Sequence, residues 1–309
     1  MEAALQIKGL CKVFGHVPII KNVSFDVYPG EVFGFLGPNG AGKTTTIKMV
    51  MGFLAPDKGD IIINGTNIKE NYEKAMSNLG GIVENPEMYK DLTGRTNLKM
   101  YARLHDGVTD ERINEVISLV GMSQRIDEKI KKYSLGMKQR IGLAQAILHK
   151  PRVLILDEPT NGLDPAGIKE LRDILCHLAH NDGVAVIISS HLLSEMELMC
   201  DRVGIISNGT MLGVKPIKDL LEHANGGTVS FRFLTNDIDL SLSILNGKFS
   251  KAVTNVTSGY LDLSIPFECV PLINKKLVEG GVSIYGITQN TASLEEAFMN
   301  IIQRGGFDA

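Results

Sequence analysis

Residues 37–45 read GPNGAGKTT, directly after the apolar run EVFGFL and directly before TIKMVMGFL. The stretch fits the pattern GxxxxGK[ST], and its surroundings are those the pattern requires, a strand that turns into a helix. Gly37, Gly40 and Gly42 let the backbone curl until its N–H groups converge on an anion. Lys43 then reaches the outer phosphates of a nucleotide, and Thr44 can ligate Mg²⁺. Pro38, Asn39, Ala41 and Thr45 complete the loop and the helix mouth, where unpaired first-turn donors and the helix dipole favour negative charge. A glycine-rich turn matching by chance would need neither the strand before it nor the helix after it.

Working outward, a nucleotide site of this kind needs a carboxylate at the end of a buried strand to hold Mg²⁺ directly or through water. VLILDEP at 153–159 supplies one. Asp157 ends the apolar run as the Mg²⁺ partner, and Glu158 follows it, placed to polarise a water for attack on a γ-phosphate. Alone, two acids after a strand read as a solvated turn; the phosphate loop changes that reading. VAVII at 184–188 and VGII at 203–206 are likewise too continuous for half-exposed strands, so the class is α/β with a parallel, buried sheet. From about residue 86 to 150 strands give way to helical spacing. Ile113, Val116, Ile117 and Val120 fall at i, i+3, i+4 and i+7, and Ile141, Ala144 and Leu148 form a similar stripe.

Composition sets the outer limits. A chain of 309 residues with 44% hydrophobic and 22% charged residues can bury a large core, and no apolar run reaches the length of a membrane span. MEAALQIKGL lacks a secretory signal's basic start and apolar stretch, which predicts a cytoplasmic protein. Cys11, Cys176, Cys200 and Cys269 show no metal-ligand spacing and read as small core hydrophobes. A net charge of −3 offers no electrostatic footprint for nucleic acid. After Lys215-Pro216 the texture changes: Val229, Phe231 and Phe233 alternate, Gly280-Gly281 marks a turn, and Ser293 with Glu296 forms a capping box for a helix carrying Leu294, Ala297, Phe298 and Ile301. The expected division is a domain over 1–214, with a helical insert at about 86–150, and a small α+β appendage over 215–309.

A third feature completes the pattern. YSLGMKQR at 133–140 places a serine and a glycine just before a helix, a second candidate anion site in a chain that already has one. With these motifs in this order, residues 5 to about 213 resemble the ATP-binding subunit of an ABC transporter. The resemblance implies a P-loop ABC-type nucleotide-binding domain, ATP and Mg²⁺ as ligands, and two subunits packed head to tail. In that family the signature of each subunit closes over the γ-phosphate held by the other. Ser134, Gly136 and Met137 are the matching positions, and YSLGM departs from the commoner LSGGQ at Leu135 and Met137. On its own Ser134 is a helix cap.

The resemblance also assigns Phe14 in KVFG as the aromatic that stacks on adenine, His191 as the switch histidine at the γ-phosphate, and Asn161-Gly162-Leu163-Asp164 as the loop that crosses the dimer interface, with Asp164 connecting the two sites. By residue type alone Phe14 is core, His191 a surface histidine and Asp164 a helix cap. Glu84 in GGIVENPEMY stands where the family usually has glutamine and is a candidate Mg²⁺ ligand. The substitution is similar to that in ATPases of the bacitracin-export and lantibiotic-immunity branch. The expectation is an exporter ATPase on the inner face of the membrane, paired with a second copy or a similar subunit and with membrane permeases, and without nucleic acid. Two other classes remain open from residues alone: an ABC-type ATPase acting on ribosomes or DNA, and an unrelated phosphate-loop kinase or GTPase.

Overall fold

A computed structural model describes residues 2–190, 193–223, 229–246, 249–257, 259–290, 294–304 and 306. The chain divides into two compact units, Met1–Pro216 and Ile217–Gly305. The first begins with β1 (Leu5–Phe14), β2 (Val17–Val27), β3 (Val32–Leu36), α1 (Lys43–Val50), β4 (Lys58–Ile63), β5 (Thr66–Asn67), α2 (Tyr72–Met76) and β6 (Leu79–Ile82). Helices α3 (Gly94–Ala102), α4 (Asp110–Leu119) and α5 (Leu135–Ile147) follow. The unit closes with β7 (Val153–Asp157), α6 (Pro165–His180), β8 (Ala185–Ser189), α7 (Leu193–Met199), β9 (Arg202–Ser207) and β10 (Thr210–Pro216).

Among the described residues, β9-β3-β8-β7-β6 form a parallel sheet with β10 antiparallel on the β9 edge. Every residue of β3, β7 and β8 is buried, which is why their sequences carry no alternation. A separate antiparallel sheet, β2-β1-β4-β5, shares one core with it. Phe25 of β2 stacks on Phe33 of β3 with centroids 5.2 Å apart, and Ile47, Met49 and Val50 of α1 fill the same cluster. The phosphate-loop helix is therefore anchored by its apolar face. In register, Phe35 pairs with Ser189 and Ser189 with Asp157, so three strand ends meet at one carboxyl edge, where open α/β sheets take their ligands.

The helical insert carries a hydroxyl cap on each helix: Thr93 on α3, Thr109 on α4 and Ser134 on α5. The α4 stripe is buried as its spacing predicts. The stripe read for the next helix understates the burial: α5 buries Gln139, Ile141, Gly142, Leu143, Ala144, Ala146 and Ile147, too many directions for one face. It also begins at Leu135, so Gly136 lies inside the first turn rather than before it.

The second unit runs α8 (Ile217–His223), β11 (Val229–Thr235), α9 (Ile238–Leu245), β12 (Val253–Thr257), β13 (Tyr260–Ile265), α10 (Val270–Glu279), β14 (Ile284–Asn290) and α11 (Leu294–Arg304). Its strands pair antiparallel in the order β12-β13-β11-β14, a βαββαβ ferredoxin-like arrangement. Phe231, Phe233, Leu261 and Leu263 pack against Leu245 of α9 and Ile273 and Leu277 of α10. On the opposite face Arg232 grips Asp262 through two hydrogen bonds of 2.7 and 2.8 Å. Leu294, Phe298 and Ile301 of α11 are buried, and Ser293 of the expected capping box lies outside the described residues. All four thiols are free; Cys200 is buried, and Cys11, Cys176 and Cys269 are half-buried rather than core.

Candidate nucleotide site

The loop between β3 and α1 curls because Gly42 adopts φ 107°, a left-handed value that a side chain disfavours, and because a Cβ there would lie 2.4 Å from Ile20 Cδ1. Ala41 N–H donates to Pro38 O at 3.1 Å, and Ala41 O accepts from Gly209 N–H at 3.0 Å, tying the loop to the turn after β9. Thr46 is buried and returns its hydroxyl to Gly42 O at 2.9 Å. Lys43 is buried inside the curl, its ammonium donating to Gly37 O at 2.6 Å and Pro38 O at 3.3 Å. Burial holds that ammonium below the ordinary lysine range, and the charges of Glu158 and Asp157 push it back up. A polyphosphate would act in the same sense as those carboxylates.

Asp157 and Glu158 are fixed by a residue the sequence reading left without a role. Ser189, fully buried at the end of β8, donates its hydroxyl to Asp157 Oδ1 at 2.6 Å and accepts from Glu158 N–H at 2.9 Å. Glu158 has φ 52°, a conformation that costs a non-glycine residue free energy and that these bonds help hold. The signal available was a serine ending the buried run VAVIIS, beside VLILD in the sheet.

A cleft of about 710 Å³ gathers the loop residues Asn39, Gly40, Gly42, Lys43, Thr44 and Thr45 with Glu158 and Phe14. Asn161, to which the sequence reading gave no role of its own, lies on the same wall. Phe14 ends β1 half-exposed instead of joining the core, with Lys12 Nζ 5.6 Å from its ring centroid, so an aromatic face is offered at the cleft's rim. Gly37 and Ala41 are buried behind the loop, and Pro38 is exposed on it. The oxygen donors of Thr44 and Asp157 suit a hard cation. Among the described residues no three His, Cys, Asp or Glu side chains converge. A cation here would complete its shell with phosphate oxygens and water, and this donor set fits Mg²⁺.

Ser134, Gly136, Met137, Asp164 and Glu84 do not line this cleft. Ser134 caps α5, accepting from Met137 N–H at 3.3 Å. Leu135 and Gly136 lie against the loop before α6: a Cβ on Gly162 would come 2.4 Å from Leu135 Cδ2, and one on Gly136 would come 3.4 Å from Leu163 Cδ2. Asp164 caps α6 through Gly167 N–H at 2.9 Å, with Pro165 in the first turn. The YSLGM segment and the NGLDP loop thus lie side by side, with Ser134 and Leu135 exposed at the start of α5. Glu84 is exposed and pairs with Lys48 Nζ at 2.8 Å, which holds its carboxyl below the usual range. His191 lies outside the described residues. Among the described residues no helix is long and apolar enough to cross a membrane.

Comparison with known proteins gives a consistent picture. The ABC transporter family model matches residues 20–161. An uncharacterized ABC transporter ATP-binding protein of Bacillus subtilis is 47% identical over 97% of this chain and 96% of its own length. The bacitracin transport ATP-binding protein of Bacillus licheniformis is 38% identical over 99% of both. Among solved structures, the ATP-binding subunit of an ABC transporter superposes with a TM-score of 0.65 and 29% identity, covering 71% of this chain and 92% of that one.

Proposed function

The chain belongs to the ABC transporter family as an ATP-binding subunit, an ATPase that energises transport, and from that premise we propose that it drives export of a peptide antibiotic or similar amphipathic compound. The substrate class rests on the similarity to the bacitracin transport protein along the whole chain. The observation that carries the mechanism is the strand register that brings Glu158 to the wall of the cleft holding Lys43 and Thr44.

In this reading the free N–H groups of the phosphate loop cradle the phosphates, Lys43 swings from its carbonyl partners to the outer phosphates, and Phe14 stacks on the adenine. Thr44 and Asp157 would hold Mg²⁺, with Glu84 as a further candidate ligand; when bound, the ion would supply charge neutralisation at the phosphate oxygens. Glu158 orients or deprotonates the attacking water, Ser189 keeps that carboxylate aimed, and His191 contacts the γ-phosphate. Because Ser134, Gly136 and Met137 lie away from the chain's own cleft, they close over the γ-phosphate in a second copy or a similar subunit packed head to tail. Asp164, on the same surface, links the two sites. The pair works at the inner face of the membrane with separate permease subunits. The 1–214 segment is the ATPase domain and 215–309 an accessory domain.

The test is an affinity pull-down of tagged Glu158→Gln protein from detergent-solubilised native membranes with ATP and Mg²⁺. Recovery of a polytopic membrane protein is expected. Recovery of ribosomal or DNA-associated proteins alone would overturn the membrane assignment and leave the ATPase standing.

A further inference from the structure

Glu84 and Lys48 meet outside the nucleotide cleft, 2.8 Å apart between Nζ and Oε1, both partly exposed. Lys48 stands four residues after Thr44 on α1, so the two share a face one helical turn apart, about 6 Å along the axis. The carboxylate of Glu84 is thus tethered to the helix whose first turn carries the hydroxyl assigned to Mg²⁺. Its backbone is held at φ 63°, at the corner where the chain leaves β6 for the helical insert. A glutamine at this position would be neutral and could not be held by an ammonium in the same way.

We propose that Lys48 is a positioning residue that holds Glu84 outside the nucleotide cleft and competes with a divalent cation for its carboxylate. The proposal rests on the reading of the cleft as a cation-assisted ATP site. Ligation of the cation by Glu84 would exchange one partner of the carboxylate for another, so the ion pair opposes it. The substitution of carboxylate for amide thereby delays cation capture until nucleotide phosphates add to the attraction.

The experiment measures Mn²⁺ affinity by electron paramagnetic resonance, with a non-hydrolysable ATP analogue saturating the protein, in wild type, Lys48→Met, Glu84→Gln and the double variant. Nucleotide affinity is followed in parallel with a fluorescent ATP analogue in the absence of divalent cation. Exposed ion pairs of this kind correspond to about 1.4- to fivefold in an equilibrium constant. Lys48→Met should therefore tighten Mn²⁺ about threefold in the wild-type background and leave it unchanged in the Glu84→Gln background. The difference should shrink in high salt. Equal tightening in both backgrounds would mean that Lys48 acts only as a nearby positive charge, and no tightening in either would mean that it does not compete; both overturn the proposal. If wild type binds the nucleotide but no Mn²⁺, the cation reading of the cleft fails together with it, a result the nucleotide measurement separates from a loss of binding altogether.

Discussion

Replacing Ser189 by alanine removes one hydroxyl and leaves the backbone in place. That hydroxyl is fully buried, donates to Asp157 at 2.6 Å and accepts from Glu158 N–H at 2.9 Å, while the same N–H also reaches Ser189 O at 3.2 Å. The N–H keeps its carbonyl partner in the variant, so the main loss is the hydrogen bond to a buried acidic side chain, about 1.5–3 kcal/mol. Adding a few tenths for the weakened N–H contact gives about 2–3 kcal/mol for the first unit. In a unit of this size that corresponds to a fall in melting temperature of about 5–10 °C. Turnover should fall further than stability implies, because Glu158 at φ 52° loses one of the bonds that aim it. A drop in kcat of at least about tenfold, with KM for ATP within about twofold, is expected since the phosphate loop is untouched. Thermal unfolding by circular dichroism and steady-state phosphate release measure the two effects. A shift under about 0.5 kcal/mol with unchanged kcat would refute the positioning role, since it is about the noise of surface substitutions.

Gly162→Ala should destabilise by about 1–3 kcal/mol, since φ is 73° and the new Cβ would lie 2.4 Å from Leu135 Cδ2. Adding Leu135→Ala should recover part of that loss, and strictly additive melting shifts would mean that Leu135 does not cover Gly162. His149 donates Nε2–H to Leu79 O at 3.1 Å, stacks on His105 at 4.2 Å and buries Nδ1 without a hydrogen-bond partner. Burial first, then the nearby His105 and Arg112, hold its imidazole pKa below the ordinary 6.5, with the Leu79 bond acting the other way. The unfolded chain therefore takes up a proton there before the folded one does: the associated stability is complete above pH 6.5 and is lost as pH falls from there to the folded value. Urea midpoints should decline over that window and decline less in His149→Gln; the same slope in both proteins would contradict the assignment.

The elements legible from sequence are those whose chemistry is local. GPNGAGKTT announces its own backbone path, and VLILD and VAVIIS announce burial on both faces by lacking any period. Ser134 and Asp164 read as helix caps, and both cap helices. What escaped depends on partners brought together only by the fold. The Ser189–Asp157 bond joins residues 32 apart through strand register, and the Lys48–Glu84 pair spans 36 residues across two elements. Neither serine nor lysine carries a spacing that would reveal it. Alternating Phe231 and Phe233 marks a strand, yet the order β12-β13-β11-β14 is set by how α9 and α10 cover one face. Phe14 reads as core by residue type because exposure at the end of a hairpin leaves no trace in a single residue.

The central claim is that ATP bound in the cleft of one chain is closed over by the signature of another. Sedimentation equilibrium of Glu158→Gln protein with saturating ATP and Mg²⁺ tests it most directly. A doubling of molar mass with ATP, absent with ADP and abolished by Ser134→Arg, is the predicted result. A monomer that binds ATP to saturation and never pairs would contradict it.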